Sequence, residues 1–456
     1  MKKVFTILTT LLFVTAGSQL VLAAQAPKAK AQTQAAKPAA KPVVQQSKEP
    51  TPQDLINEMK PGFDFSGNID IKIFDMVNSA YGETSDWYFY PVYRMALANV
   101  FDKENFGLFA DVEKPGYANI TYPFIKVNEL YAKFQQDNFY VKLGRQLFGD
   151  TQDLLLGFQH DAVTLGFDLD KIDLMFFIAR TDLYAPWGTG GKIESMIGFT
   201  PYFNLGDTMG LRGYLLIGNE PITITSGTPP TAKDAVNTLI LLGGRYMLDM
   251  PAGDAGHFGL NGQLGIQFGM AKTAADDSID ATALGLKLDG MYGMQSTPDF
   301  GFELGAHIVY TGGDPEPLLN TKCGFASLNS LPGSGPGLFS KIQDGAGAYT
   351  YLDGHSASLK IQNYVGVLSL GFTGEFAFNS IKPGVGLWIY SNTDKDGKSL
   401  GTELNAWLVY QASKIVSFYG QVAMFMPNRE GIGWPPSPAT APNNATKLLI
   451  GSSINF

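Results

Sequence analysis

From about residue 63 to the C-terminus, apolar side chains recur at every second position, in runs of about ten residues, long enough to cross a bilayer as a tilted strand. Phe258, Leu260, Leu264, Ile266 and Phe268 alternate with Asn261, Gln263, Gly265 and Gln267. Ile172, Leu174, Phe176 and Ile178 alternate with Asp173, Met175, Phe177 and Ala179. Leu404, Ala406, Leu408 and Tyr410 alternate with Glu403, Asn405, Trp407 and Val409. A period of two belongs to a strand whose two faces meet different surroundings. It leaves little besides a β-sandwich or a closed β-barrel.

The connections separate those two. Short ones fall at 101–105, 136–138, 168–171, 204–208, 250–256, 295–299, 379–383 and 412–414. Long ones fall at 78–86, 114–122, 149–159, 181–191, 219–235, 271–278, 311–356, 391–401 and 427–445. They alternate strictly, which gives about eighteen strands with both ends of the chain on the short-turn side, the rhythm of an outer-membrane barrel. The expected fold is therefore all-β: a transmembrane antiparallel up-and-down barrel, with short periplasmic turns and long outside loops. A sandwich has no reason to alternate in this way.

The last strand fits a closed wall. Leu448, Ile450, Ile454 and Phe456 share one face, and Leu449, Gly451, Ser453 and Asn455 the other. An apolar terminal strand with a free edge invites aggregation; paired to the first strand of a barrel it has none. The terminal Phe456 resembles the C-terminal assembly signal of bacterial outer-membrane proteins. The implied partners are the barrel assembly machinery and outer-membrane lipid.

Residues 1–26 read as a signal peptide: Lys2 and Lys3, then an apolar run, then Ala24-Gln25-Ala26. Residues 27–61 are rich in Ala, Pro, Lys and Gln and read as an extended periplasmic linker that cannot bury a core. Residues 62–456 are the expected barrel. Charged residues make up only 16% of the chain, while 52 Gly, 31 Phe and 20 Tyr suit tight turns and aromatic girdles. A net charge of -9 argues against nucleic acid. Cys323 is the single cysteine, and the 4 His are scattered, so no metal, cofactor or nucleophilic motif is expected. The chain does not read as an enzyme.

Charges embedded in the alternation mark the lumen, because a charge on the lipid face costs about 2–4 kcal/mol at the bilayer midplane. The pore-lining candidates are Arg94, Glu129, Lys133, Arg212, Arg245, Lys287, Asp289, Glu303, Glu375 and Glu403. They serve either as pairs that stiffen the wall or as a charged track. In a track, Arg94, Arg212 and Arg245 would be the donors, since a guanidinium fork suits a carboxylate. The longest loop, 311–356, is the candidate constriction or cap; the other reading is a surface loop.

Three stretches carry a family resemblance. Phe139-Tyr140-Val141-Lys142-Leu143-Gly144-Arg145-Gln146 resembles the K-L-G-R-Q strand of the alginate export family of outer-membrane porins. Asp394-Lys395-Asp396-Gly397-Lys398-Ser399-Leu400-Gly401-Thr402-Glu403-Leu404 resembles that family's loop and L-G-T-E-L strand start. Tyr419-Gly420-Gln421 with Met424-Phe425-Met426-Pro427 resembles its penultimate strand. The resemblance implies passage of an anionic polysaccharide through an Arg-lined lumen, with Arg145 and Glu403 on motif positions. This chain departs from the family in its mixed lumen and acidic total charge. The alternation puts Arg145 in phase with Val141 and Leu143, so the pore-lining role needs a bulge at Gly144 to turn Arg145 inward. The functional expectation is a porin for small hydrophilic solutes or sugar-acid chains; the alternative is a structural or adhesive barrel with a plugged lumen.

Overall fold

The computed structural model describes residues 64–79, 82–86, 90–98, 106–114, 126–150, 152–184, 192–226, 231–253, 255–272, 278–280, 282–297, 299–312, 328–329, 367–393, 399–428 and 445–455. The expected signal peptide, the expected linker and Phe456 lie outside them.

The strands are β1 (Asp64–Ser79), β2 (Gly82–Asp86), β3 (Tyr90–Ala98), β4 (Phe106–Lys114), β5 (Lys126–Gln136), β6 (Phe139–Gly149) and β7 (Leu156–Asp168). There follow β8 (Ile172–Tyr184), β9 (Lys192–Asn204), β10 (Met209–Ser226), β11 (Thr231–Pro251), β12 (Gly256–Lys272), β13 (Ser278–Asp280) and β14 (Ala283–Thr297). The last are β15 (Phe300–Thr311), β16 (Leu328–Asn329), β17 (Val367–Phe378), β18 (Ile381–Asn392), β19 (Ser399–Gln411), β20 (Val416–Pro427) and β21 (Ala445–Asn455).

Each wall strand pairs antiparallel with the next wall strand, and β21 returns to β1 from Asn68↔Asn455 to Asn78↔Thr446. The sheet therefore closes and presents no edge. Three of the twenty-one strands stand outside the ring: β2 on the end of β1, β13 on the end of β12, and β16 parallel to β7. The other eighteen are the wall, as the connection rhythm predicts.

Turn chemistry places the short connections. Asp137, Asp170 and Asn379 hold φ of 50°, 61° and 51°, the left-handed region that Asp and Asn tolerate best after glycine. Aromatic pairs flank these turns: Phe139–Phe167 at 5.2 Å, Phe300–Phe378 at 5.2 Å and Tyr410–Phe418 at 6.4 Å. They are arranged as a girdle at one membrane boundary.

The two faces are chemically distinct. On β8, Phe176 and Ile178 are 45% and 61% exposed and point to lipid, while Phe177 and Ala179 are buried inside. The buried apolar cluster lies in the lumen, along β6 to β11: Phe148, Phe158, Phe177, Met196, Leu216, Leu239 and Leu241.

Two expectations are corrected. Within 219–235, residues 219–226 and 231–235 are not loop: β10 and β11 stay paired out to Ser226↔Thr231. Ile222, Thr223, Ile224 and Thr225 are strong strand formers, so the hairpin runs on past the apolar band as a ribbon. Nor does Gly144 mark a bulge. The β5–β6 and β6–β7 registers run through it unbroken. Its φ of +122° answers a different need: a Cβ there would strike the carbonyl oxygen of Leu130. Arg145 therefore stays in phase with the exposed Leu143 and Leu147, on the outer face.

Candidate functional site

The lumen is not an open cylinder. After β6 the chain folds inward at residues 150 and 152–155. Gly149, at φ +73°, makes the turn, where a Cβ would collide with the Leu156 carbonyl. Asp150 Oδ1 accepts from Gln152 N at 2.8 Å, and Asp153 Oδ1 accepts from Leu155 N at 2.8 Å and Leu156 N at 3.2 Å. These aspartate-capped turns drive Leu154, Leu155 and Leu156 into the apolar cluster, where each is at most 9% exposed.

Four strands of the inner wall hold the inserted segment. On β10, Tyr214 Oη donates to Asp153 Oδ2. From β11, Arg245 Nη1 lies 2.7 Å from Asp150 Oδ2 and 3.5 Å from Asp153 Oδ2, and its Nε donates to Asn261 Oδ1 at 3.0 Å. Gln263 of β12 accepts from Leu154 N at 2.6 Å and donates to Gln152 O at 2.7 Å. Lys287 of β14 donates to Gln152 O at 2.7 Å. Burial raises the Asp150 carboxyl, but the hydrogen bond and charge of Arg245 outweigh it and hold the group below its ordinary value. Burial pushes Asp153 up, against the hydrogen bonds from Tyr214, Leu155 and Leu156 and the Arg245 charge. The fit is close: a Cβ on Gly243 would stand 2.6 Å from Leu155 Cδ1.

Nearer the short turns, the same wall is aromatic and carries three cations beside the carboxylates of Asp168 and Asp173. Lys133 and Lys142 are cross-strand partners, each over the Tyr140 ring at 5.4 and 5.5 Å. The Tyr140 ring covers Gly166 on β7, where a Cβ would clash, and so reaches Asp173 Oδ1 on β8 at 3.2 Å. Arg212 lies over the Tyr202 ring at 5.5 Å. Among the described residues, Lys133, Lys142 and Arg212 form no ion pair.

The opposite wall, nine strands round the ring from β6, carries the acids. Glu375 accepts from Trp407 Nε1 at 2.9 Å, and its cross-strand partner Glu303 lies 3.7 Å from His257 Nε2. Between the walls, Asp289 joins Lys287 at 3.3 Å and His307 at 3.0 Å. His307 stacks on Trp388 at 5.0 Å.

The sequence candidates divide accordingly. Lys133, Arg212, Glu303 and Glu375 face the lumen. Arg245, Lys287 and Asp289 face inward but serve the inserted segment and its supports, which corrects the reading of Arg245 as a donor for solute. Glu403 is fully buried and accepts from Tyr390 Oη at 2.7 Å. Glu129 sits at the seam of β5 and β6, where Oε1 accepts from Leu147 N at 2.9 Å. Arg145 belongs to the outer face, against the expected inward turn. Arg94 stands opposite Asn68 and Glu113 in β3, with its side chain outside the described residues. Most of 311–356 is likewise outside them, but β16 pairs with Leu156 and Gly157 at the base of the inserted segment. Sequence reasoning missed Asp150, Asp153, Tyr214 and Gln263. The usable signal was Gly149-Asp150-Thr151-Gln152-Asp153-Leu154-Leu155-Leu156: two aspartates and three leucines in what the alternation marks as a loop.

No protein-family model and no curated protein matches the sequence, so the alginate-export resemblance rests on its short motifs alone. Solved structures do match. The fold is similar to that of the outer membrane protein OprD from Pseudomonas aeruginosa, with a TM-score of 0.54 and 12% identity over 88% of this chain and 96% of that one. Pseudomonas aeruginosa OpdK with vanillate aligns with a TM-score of 0.54 and 13% identity, over 87% and 100%. OpdQ from the same organism gives 0.54 and 11%, over 86% and 99%. At such identities the likeness is one of fold.

Proposed function

We propose that this protein is an outer-membrane channel for small hydrophilic solutes, with a preference for small organic anions. The single observation that carries the reading is the lumen-facing row of Lys133, Lys142 and Arg212, set among Tyr131, Tyr140 and Tyr202. A guanidinium or ammonium beside an aromatic ring offers donors to a carboxylate and a flat face to its carbon skeleton. The neighbour OpdK, solved with vanillate, held an aromatic carboxylate, which supports the same chemistry. Glu303 and Glu375 across the lumen give the path a transverse field.

The sugar-acid polymer reading has less support. Of its two motif residues, Arg145 sits on the outer face and Glu403 is buried against Tyr390. The inserted segment also occupies part of the lumen.

Planar-bilayer reversal potentials in a salt gradient test the proposal. Replacing Lys133, Lys142 and Arg212 by Ala together shifts selectivity toward cations. The shift is largest in dilute salt, where the Debye length is about 30 Å at 0.01 M. An unchanged permeability ratio in a conducting triple variant refutes it.

A further inference from the structure

On the outer surface, the apolar band of β6, β7 and β8 is interrupted at one level by charge. Arg145 and Asp161 are cross-strand partners. The rung after Ala162↔Ala179 sets Asp161 beside Arg180. All three lie in the lipid-facing phase: below them on the same strands Leu143, Val163 and Ile178 are 52%, 48% and 61% exposed. Arg212 and Arg245, by contrast, face the lumen. Neither Arg145 nor Arg180 forms an ion pair among the described residues, Asp161 notwithstanding. Arg145 Nε is buried with no hydrogen-bond partner, and only Nη2 is engaged, with Gln159 O at 3.3 Å. The nearby Glu129 carboxylate is committed to Leu147 N.

We propose that Arg145 and Arg180 bind a phosphate group of an outer-leaflet glycolipid, the phosphorylated lipid A of lipopolysaccharide. Their backbones stand two strand spacings apart, about 10 Å, within reach of one headgroup for two long side chains. The level is right: the charges lie toward the long-connection end of the strands, the outward side of such a barrel. The chemistry is right as well, because Leu143, Val163 and Ile178 beneath the guanidiniums offer an apolar bed for acyl chains. Guanidinium forks match phosphate oxygens, and such charge-assisted bonds are the strong ones. Asp161 between them weakens the site. It also keeps the pair from attracting every anion, so that binding depends on chains and phosphate together. The inference rests on the outer-membrane placement proposed above but not on conduction.

The test uses full-length protein in detergent, freed of native lipid and titrated by native mass spectrometry with diphosphoryl lipid A, dephosphorylated lipid A and inorganic phosphate. Wild type takes up diphosphoryl lipid A, binds the dephosphorylated form at least roughly tenfold more weakly, and shows no competition by inorganic phosphate at equal concentration. R145A/R180A loses roughly tenfold or more in affinity, R145K/R180K retains most of it, and D161N tightens it. Single-channel conductance of the alanine variant stays at the wild-type value, which separates this site from the lumen reading. Equal affinity of wild type for the two lipid A forms overturns the proposal, as does undiminished binding by a heat-modifiable R145A/R180A. Should that variant not fold, the lipid A comparison and D161N on their own decide the matter.

Discussion

Arg245→Ala should release the inserted segment and widen the channel. Insertion buries Leu154, Leu155 and Leu156 at about 1.5–3 kcal/mol each. It also orders the connection of residues 150–155, at about 1–2 kcal/mol for each residue fixed. These two contributions offset each other to within a few kcal/mol, so the polar anchors decide whether the segment stays in. Among them Arg245 is central, with 4% of its side chain exposed and the fully buried Asp153 carboxylate 3.5 Å away. Its contact with Asp150 counts for less, since that carboxylate is half exposed. Removing Arg245 strands a buried carboxylate, which typically costs about 3–5 kcal/mol. That corresponds to a shift in the inserted-to-released ratio by a factor of roughly a hundred to several thousand.

Single-channel recordings report the outcome. The variant should show larger mean conductance and more open-channel noise than wild type, and protease should cut within 150–155 in folded, heat-modifiable protein. Asp153→Asn is the internal control. It keeps the shape and the Tyr214 contact, and leaves Arg245 its bond to Asp150, so it should change conductance less. A folded Arg245→Ala variant with wild-type conductance, noise and protease resistance would refute the reasoning. The apolar contacts would then hold the segment alone.

Two further outcomes are expected, the first from the same contacts and the second from the closure of β21 on β1. Leu155→Ala opens a cavity against Gly243 and the surrounding cluster, with an expected loss of about 2–5 kcal/mol; it should raise conductance noise while the barrel itself remains heat-modifiable. Deleting Phe456 should lower the amount of folded protein in the outer membrane, measured as the heat-modifiable fraction of that membrane, because β21 must close against β1 and the terminal aromatic is the expected recognition element.

The wall was legible because its determinants are local. Alternation fixes which residues share a face, and Asp137, Asp170 and Asn379 announce turns through their tolerance of positive φ. What was not legible depends on contacts distant in sequence. Arg245 looks like any inward arginine until it is seen beside Asp150, 95 positions away. Gly144 reads equally as a bulge or as a close approach between strands, and only the neighbouring Leu130 carbonyl distinguishes them. The inward course of 150–155 was nevertheless within reach. Three consecutive leucines on the outside of a membrane barrel would leave a large apolar patch in water, and the lumen is the only nearby place that can cover them.

The inserted segment also explains why total charge is a poor guide to what the channel prefers. The chain carries -9 overall, yet much of that charge lies off the solute's path. Asp150 and Asp153 are spent on Arg245, Glu403 on Tyr390, and Asp289 on His307 and Lys287. The groups left facing water near the short turns are Lys133, Lys142 and Arg212, with Asp168 and Asp173 among them, on one wall and Glu303 and Glu375 on the other. A solute between these walls meets a field across the pore, not a uniformly acidic tube. Low-dielectric surroundings strengthen that field, and the leucine-filled wedge above the cationic wall supplies them. Loss of the wedge would therefore do more than widen the path: water admitted beside Lys142 and Arg212 would screen them, so Arg245→Ala should weaken anion preference even though it leaves all three lumen cations in place.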